Sequence, residues 1–193
     1  MNTVRRIAGL DEVGRGPLAG PVVAAAAVFP EGYTNDRFID SKQLSAARRE
    51  LLAEEIKSAA LSWAIVAVGP RRIEQWNIRE ASLRAMELAL ARVEADHVLV
   101  DGNVPIKTTL PQETIIGGDA LRVQISAASI IAKVYRDALM GTLARSYPGY
   151  GFEKHAGYPT PAHKQAILTL GASRIHRKTF KGVVTTFSGA PLT

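Results

Sequence analysis

The sequence predicts a mixed α/β sheet covered by helices, and three observations predict it. Two strand-like apolar runs come first, at residues 3–10 and 21–29. Helical and strand-like stretches then alternate to about residue 140, which adds further strands and helices to that opening pair. Apolar residues make up 47% of the 193, enough for one full hydrophobic core.

The elements justify themselves in order. The first two strands read as a hairpin joined by a long loop that holds Gly14-Arg15-Gly16, and Pro30-Glu31-Gly32 closes the second. Residues 41–60 read as a helix with Leu44, Leu51, Leu52 and Ile56 inward and Ser45 as the N-cap of its main part. A third strand at 61–68 is stopped by Gly69-Pro70. A longer helix within 71–95 carries Ile78, Leu83, Met86, Leu90 and Val93 as its apolar stripe. A short buried strand at 97–100 ends in Asp101-Gly102-Asn103, and another at 113–116 runs into Gly117-Gly118-Asp119. Residues 126–140 form a third helix.

From Tyr147 the composition changes to a loop rich in aromatics and glycine, a short helix at 161–170 and a basic tail at 174–181. Neither a repeat nor a low-complexity tract interrupts the chain. One domain over residues 1–193 is therefore expected, with residues from about 145 onward as a C-terminal helical and loop extension.

Net charge is +6, which suits a polyanionic partner. Beyond Lys133 the only acids are Asp137 and Glu153, so the surplus gathers toward the C-terminus. The absence of cysteine excludes a disulfide framework and any Cys-ligated zinc or iron–sulfur site. The N-terminal residues meet Asp11 before an apolar run forms, so a signal peptide is not expected. The longest apolar run, 22–29, is too short to cross a bilayer. A soluble, cytoplasmic protein is the expectation.

Four acids share one context. Asp11 and Glu12 follow the first apolar run, Asp101 ends V-L-V, and Asp119 follows I-I-G-G. In open α/β sheets the ligand crevice lies at the carboxyl ends of the strands, where these side chains would gather. Clustered carboxylates raise one another's pKa, which a divalent cation relieves, and hard oxygen donors point to Mg²⁺ or Mn²⁺. Taken singly, each acid reads equally well as a strand-end residue capping a turn. Adjacent residues of a flat strand face opposite ways, so Asp11 and Glu12 share a site only if the chain bends there.

These residues carry a resemblance. D-E-V-G-R-G-P-L-A-G-P-V-V at 11–23, D-S-K at 40–42, V-D-G-N at 100–103 and G-G-D at 117–119 resemble the bacterial ribonuclease HII family. So do I-S-A-A-S-I-I-A-K-V-Y-R-D at 125–137 and Y-P-G-Y-G-F-E-K-H-A-G-Y-P-T-P-A-H at 147–163. The resemblance implies a ribonuclease H-like fold, a mixed five-stranded sheet flanked by helices with a C-terminal helical extension. It implies hydrolysis of the RNA strand of RNA–DNA hybrids, and incision 5′ of single ribonucleotides embedded in duplex DNA. Asp11, Glu12, Asp101 and Asp119 match the family's catalytic, metal-binding acids; Asp137 is ranked below Asp119 as the fourth, since Arg-Asp near a helix end is more often a local ion pair. Gly14, Arg15 and Gly16 match the loop that grips the ribonucleotide, Tyr158 the tyrosine that stacks on the next sugar, and Lys42 a phosphate contact.

The expected chemistry is two-metal hydrolysis leaving 3′-hydroxyl and 5′-phosphate ends, with Mg²⁺ or Mn²⁺ as cofactor. No protein nucleophile is needed, so Ser41, Ser126 and Ser129 read as helix-start or packing residues. His97 reads as structural, and His155, His163 and His176 as loop hydrogen-bonding or phosphate-contact residues. Trp63 and Trp76 read as core or helix-packing residues. The expected partners are hybrid duplexes and ribonucleotide-containing DNA, bound by a monomer. A non-catalytic nucleic-acid-binding module is the competing class, disfavoured because unneutralised acids would repel the phosphate path. The related ribonuclease HIII, expected to carry an N-terminal substrate-binding domain, fits poorly with only six residues before Ile7.

Overall fold

The computed structural model describes residues 4–39 and 45–183, with the side chain of residue 39 left aside. The first three strands, β1 (Arg6–Val13), β2 (Val22–Pro30) and β3 (Ser62–Val68), form an antiparallel meander. Two further strands, β4 (His97–Asp101) and β5 (Gln112–Ile115), add to the other side of β1 in parallel, giving the order β3-β2-β1-β4-β5. This is the expected mixed five-stranded sheet.

The helices are α1 (Asp36–Ile39), α2 (Ala46–Ala59), α3 (Pro70–Leu90), α4 (Val123–Ser146), α5 (Phe152–His155) and α6 (Pro161–Leu170). Alternation along β1 and β2 sends Ala8, Leu10, Val22, Ala24, Ala26 and Val28 to the face covered by α3. Val23, Ala25, Ala27 and Phe29 meet α2 and α4 on the other. The alanines of β2 are fully buried on both sides and let these helices lie close.

At Gly9, α4 touches the sheet. A Cβ there would stand 2.1 Å from the backbone carbonyl carbon of Gln124 and 2.3 Å from the amide nitrogen of Ile125, and a backbone cannot swing aside as a flexible side chain can. Gly9→Ala is expected to cost about 3 kcal/mol or more, read as a lower urea midpoint at unchanged slope. A midpoint within error of the parent would contradict this packing.

Several expectations need correction. The strand β1 does not end at Leu10: Asp11, Glu12 and Val13 continue the ladder, opposite Ala25, Ala24 and Val23. The helix expected over 41–60 is α2, capped by Ser45 as expected; its buried side is Leu52, Ala53 and Ile56, Leu51 is 74% exposed, and Leu44 lies outside the described residues. The helix α3 stops at Leu90 and kinks at Asn77, whose φ is 63° and whose Oδ1 accepts from the Glu80 amide. The helix α4 begins at Val123 and ends at Ser146, longer at both ends than expected. Trp63 is half-exposed under Lys57, not core, whereas Trp76 packs against the α3 side of the core. Among the described residues no helix is long and apolar enough to cross a membrane.

Candidate active site

Asp11 and Asp101 stand on neighbouring parallel strands at their carboxyl ends, one step beyond the Leu10–Val100 pair. Both continue the strand face that carries Ile7 and Leu99, which pack on Ile125 of α4. Asp11 is 6% exposed; its Oδ1 accepts from the Glu12 amide at 2.7 Å, and it also accepts from the Ser129 hydroxyl on α4. Burial pushes its carboxyl well above the usual range, and the charges of Glu12 and Asp101 push the same way.

Asp101 organises the loop after β5. Its Oδ1 accepts from the Gly118 amide at 2.8 Å, and the nearby Asp119 and Gly102 amides favour its charged form. That loop is a 3-10 turn, Gly118–Ala120, which brings Asp119 beside Asp101. Burial raises the Asp101 carboxyl, and Asp119 adds like-charge repulsion.

Glu12 leaves the strand on the opposite face from Asp11, so the bend considered from the sequence is absent. It lines a cleft with Arg15, Arg79, Ser82, Asp101 and Asn103, and pairs with Arg15 at 3.2 Å. Burial raises its carboxyl, Arg15 pulls it back, and Asp101 pushes it up. All four acids thus lie near the carboxyl ends of β1 and β4, with Asp101 the common neighbour of Asp11, Glu12 and Asp119, but they do not converge on one point. Asp137 instead pairs locally, with Lys133 at 2.8 Å and not with the neighbouring Arg136 that the Arg-Asp motif suggested, because Arg136 is buried and donates to backbone carbonyls.

As placed, no three Asp, Glu or His side chains among the described residues stand together closely enough to hold a metal ion. Asp11 and Asp101 turn toward backbone amides and Glu12 toward Arg15. The donor chemistry nevertheless fits a hard divalent cation: the acids supply oxygen only, and burial and mutual repulsion disfavour their bare charges, which a cation would relieve.

Beside these strand ends lies the Gly14-Arg15-Gly16 turn. Gly14 has φ +90°, a conformation few other residues adopt. The Tyr158 ring, 38% exposed, lies against Gly16, where a Cβ would meet its Cε1 at 3.8 Å. The Leu18 amide donates to the Gly157 carbonyl at 2.8 Å and ties the two segments together. Thus the structure juxtaposes Gly14, Arg15, Gly16 and Tyr158. Lys42 lies outside the described residues.

Three histidines support Tyr158 from behind. The Ser173 amide donates to His176 Nδ1 at 2.9 Å, so His176 Nε2 carries the proton and donates to His163 Nε2 at 3.1 Å. His163 Nδ1 then donates to the Tyr158 carbonyl at 2.9 Å. His155 accepts from Gly157 and donates to Tyr150. Every ring is neutral in this scheme. These are loop hydrogen bonds, one of the two roles expected.

Burial, with the neighbouring His163, holds His176 down at about 4, and burial also lowers His163. A histidine depressed in the fold contributes stability above its unfolded value near 6.5 and loses it as pH falls through the folded value. Stability is expected to fall by roughly 3 kcal/mol between pH 6.5 and about 4 on account of His176. His176→Gln should flatten that limb of the urea-midpoint profile; an unchanged limb would contradict the assignment. The raised carboxylates act in the opposite sense, so comparison with the variant isolates the histidine.

Sequence reasoning missed four contributors. Ser129 was read as packing but holds Asp11. Arg136 and Arg177, which look like ordinary surface bases in the sequence, are fully buried beneath the glycine turn. Arg79 looked like one charge among many on a helix, yet it lines the cleft with Glu12. A Ser one helical turn into an apolar run, or a basic residue flanked by His, carries no signal that separates these roles.

Known proteins resemble this chain in sequence and in fold. The family model for ribonuclease HII matches residues 8–183. The chain is 48% identical over 187 residues to the ribonuclease HII of Pelodictyon phaeoclathratiforme, covering 93% of this chain and 91% of that one. It is 50% identical over 182 residues to that of Paracoccus denitrificans, covering 93% and 86%. Among solved structures, the ribonuclease H2 of Pyrococcus horikoshii superposes with a TM-score of 0.79 at 29% identity, over 92% of this chain and 95% of that one.

Proposed function

The chain belongs to the ribonuclease HII family of endoribonucleases, and from that membership we propose that it cleaves the RNA strand of RNA–DNA hybrids and incises DNA 5′ of single embedded ribonucleotides. What supports the reading is the placement of Asp11, Glu12 and Asp119 around Asp101 near the carboxyl ends of β1 and β4, beside the Gly14-Arg15-Gly16 turn and Tyr158. The comparisons support the reaction class; the residue roles rest on this geometry and on the motif match.

In this reading Asp11, Glu12, Asp101 and Asp119 bind Mg²⁺ or Mn²⁺. Two such ions, when bound, supply activation of a water and stabilisation of charge on the leaving 3′-oxygen. The chain's own residues do the rest. Ser129 and the Glu12 amide orient the Asp11 carboxylate, and the Gly118 amide orients Asp101. At Gly14 the missing side chain makes room for the buried Arg136, whose Nε a Cβ there would meet at 2.1 Å; the exposed Gly16 lets the turn approach the ribose, where only the 2′-hydroxyl separates RNA from DNA. The Tyr158 ring offers its face to the following sugar. Arg15, and Lys42 outside the described residues, would contact phosphate.

The proposed compartment is the cytoplasm and the proposed working form a monomer. The test is incubation with an RNA–DNA hybrid, an all-DNA duplex and an all-RNA duplex, each with Mg²⁺, Mn²⁺ or chelator. Cation-dependent cleavage of the hybrid, leaving 3′-hydroxyl and 5′-phosphate ends, is expected. Binding to all three without cleavage under any cation would instead favour the nucleic-acid-binding module.

A further inference from the structure

Two fully buried guanidiniums lie beneath the glycine turn, and among the described residues neither forms an ion pair with a carboxylate. Arg136, on α4, donates to the carbonyls of Pro21 at 3.0 Å, Ala156 at 3.0 Å and Ala19 at 3.3 Å. Arg177 donates to those of Gly20 at 3.0 Å, Arg15 at 2.8 Å and Gly14 at 2.6 Å. A buried cation without a counter-charge is costly unless its protons are satisfied, and here six backbone carbonyls satisfy them. Burial and the neighbouring Arg136 lower Arg177 to about 9, which leaves it charged near neutral pH.

The consequence lies on the other side of the peptide planes. In a trans peptide the C=O and the following N–H point in opposite directions. Arg177 draws the carbonyls of Gly14 and Arg15 inward, so the amides of Arg15 and Gly16 point outward. Both residues are exposed, and among the described residues neither amide donates to a protein acceptor. Successive outward amides form a concave donor pair for an oxygen. Hydrogen bonding of their carbonyls to a cation polarises the peptides and strengthens those donors.

We propose that Arg177 is a positioning residue for ribose recognition, which turns the Arg15 and Gly16 amides outward as a paired donor for the 2′-oxygen. The inference rests on the reading of this turn as the element that grips the ribonucleotide. It also assigns the carbonyls of Gly14 and Arg15 an inward, structural role, so the turn reads the substrate as a donor.

The test measures binding, in chelator, to two duplexes that differ by a single 2′-hydroxyl. The wild-type protein is expected to prefer the ribonucleotide duplex. In Arg177→Met that preference should collapse to within about twofold of unity, while affinity for all-DNA changes less than about threefold, as expected for loss of oriented hydrogen bonds alone. Arg177→Lys keeps the charge, but one ammonium cannot span three carbonyls, so an intermediate preference is expected. In the wild-type protein, the Arg15 and Gly16 amide resonances should move downfield on adding the ribonucleotide duplex and not the all-DNA duplex.

Any folded variant that keeps the wild-type preference overturns the proposal. So does an equal loss on both duplexes, the signature of a phosphate contact or of general destabilisation, or a pair of amides that do not move. A wild-type protein with no preference would overturn the reading of the turn itself, an outcome distinguishable from failure of the Arg177 assignment.

Discussion

Asp11→Asn is expected to lower turnover by about a thousandfold or more, roughly 4 kcal/mol of transition-state stabilisation, while binding of a hybrid duplex changes little. The asymmetry follows from where Asp11 sits. Its carboxylate is buried between Ser129 and the Glu12 amide, beside Asp101, and has no outward surface for the nucleic-acid backbone. A second consequence has the opposite sign. Burial raises the folded pKa of Asp11 above its unfolded value, so its ionised form opposes folding once pH exceeds that unfolded value. Neutral Asn removes this cost, and the cation-free variant should melt higher than the parent at pH 7. Full activity in Asp11→Asn would overturn the site assignment. A lower melting point with lost activity would mean that the residue is structural.

Tyr158→Ala is expected to reduce incision at a single embedded ribonucleotide by roughly ten- to hundredfold, the range of one aromatic stacking contact. Cleavage within long RNA tracts should fall severalfold less. The ring lies near Gly16 with the Arg136 guanidinium 5.8 Å from its centroid, and the His163 hydrogen bond holds its backbone carbonyl. Its loss therefore leaves a defined gap on the substrate side without opening the core. A uniform loss across all substrates would contradict a junction-reading role.

Much of this was legible in the sequence because the sheet is built from uninterrupted apolar runs. The order β1-β2-β3, the Asp101 strand end and the helix 161–170 follow from those runs and the Gly and Pro residues that stop them. The reach of β1 was not, because its carboxylates look like a strand terminus while the ladder continues opposite Ala24 and Ala25. The kink at Asn77 escaped because its left-handed backbone leaves no trace in apolar spacing. The nearness of the acids to one end of the sheet was legible, but not that Asp11 and Glu12 lie inside β1 on opposite faces or that Asp119 sits in a 3-10 turn; the support beneath them was not legible either. Ser129, Arg136 and Arg177 act through contacts across 115 to 163 residues of chain, or across helix and sheet, which local pattern does not encode.

The central claim is that this end of the sheet and the turn beside it together recognise and cut at a ribonucleotide. One end-labelled DNA duplex with a single ribonucleotide, run beside its all-DNA twin with Mg²⁺ or Mn²⁺, tests that most directly. Cation-dependent incision on the 5′ side of the ribonucleotide, with the all-DNA twin intact, is the expected result. Incision at other positions, cleavage of both duplexes or no incision at all would contradict it.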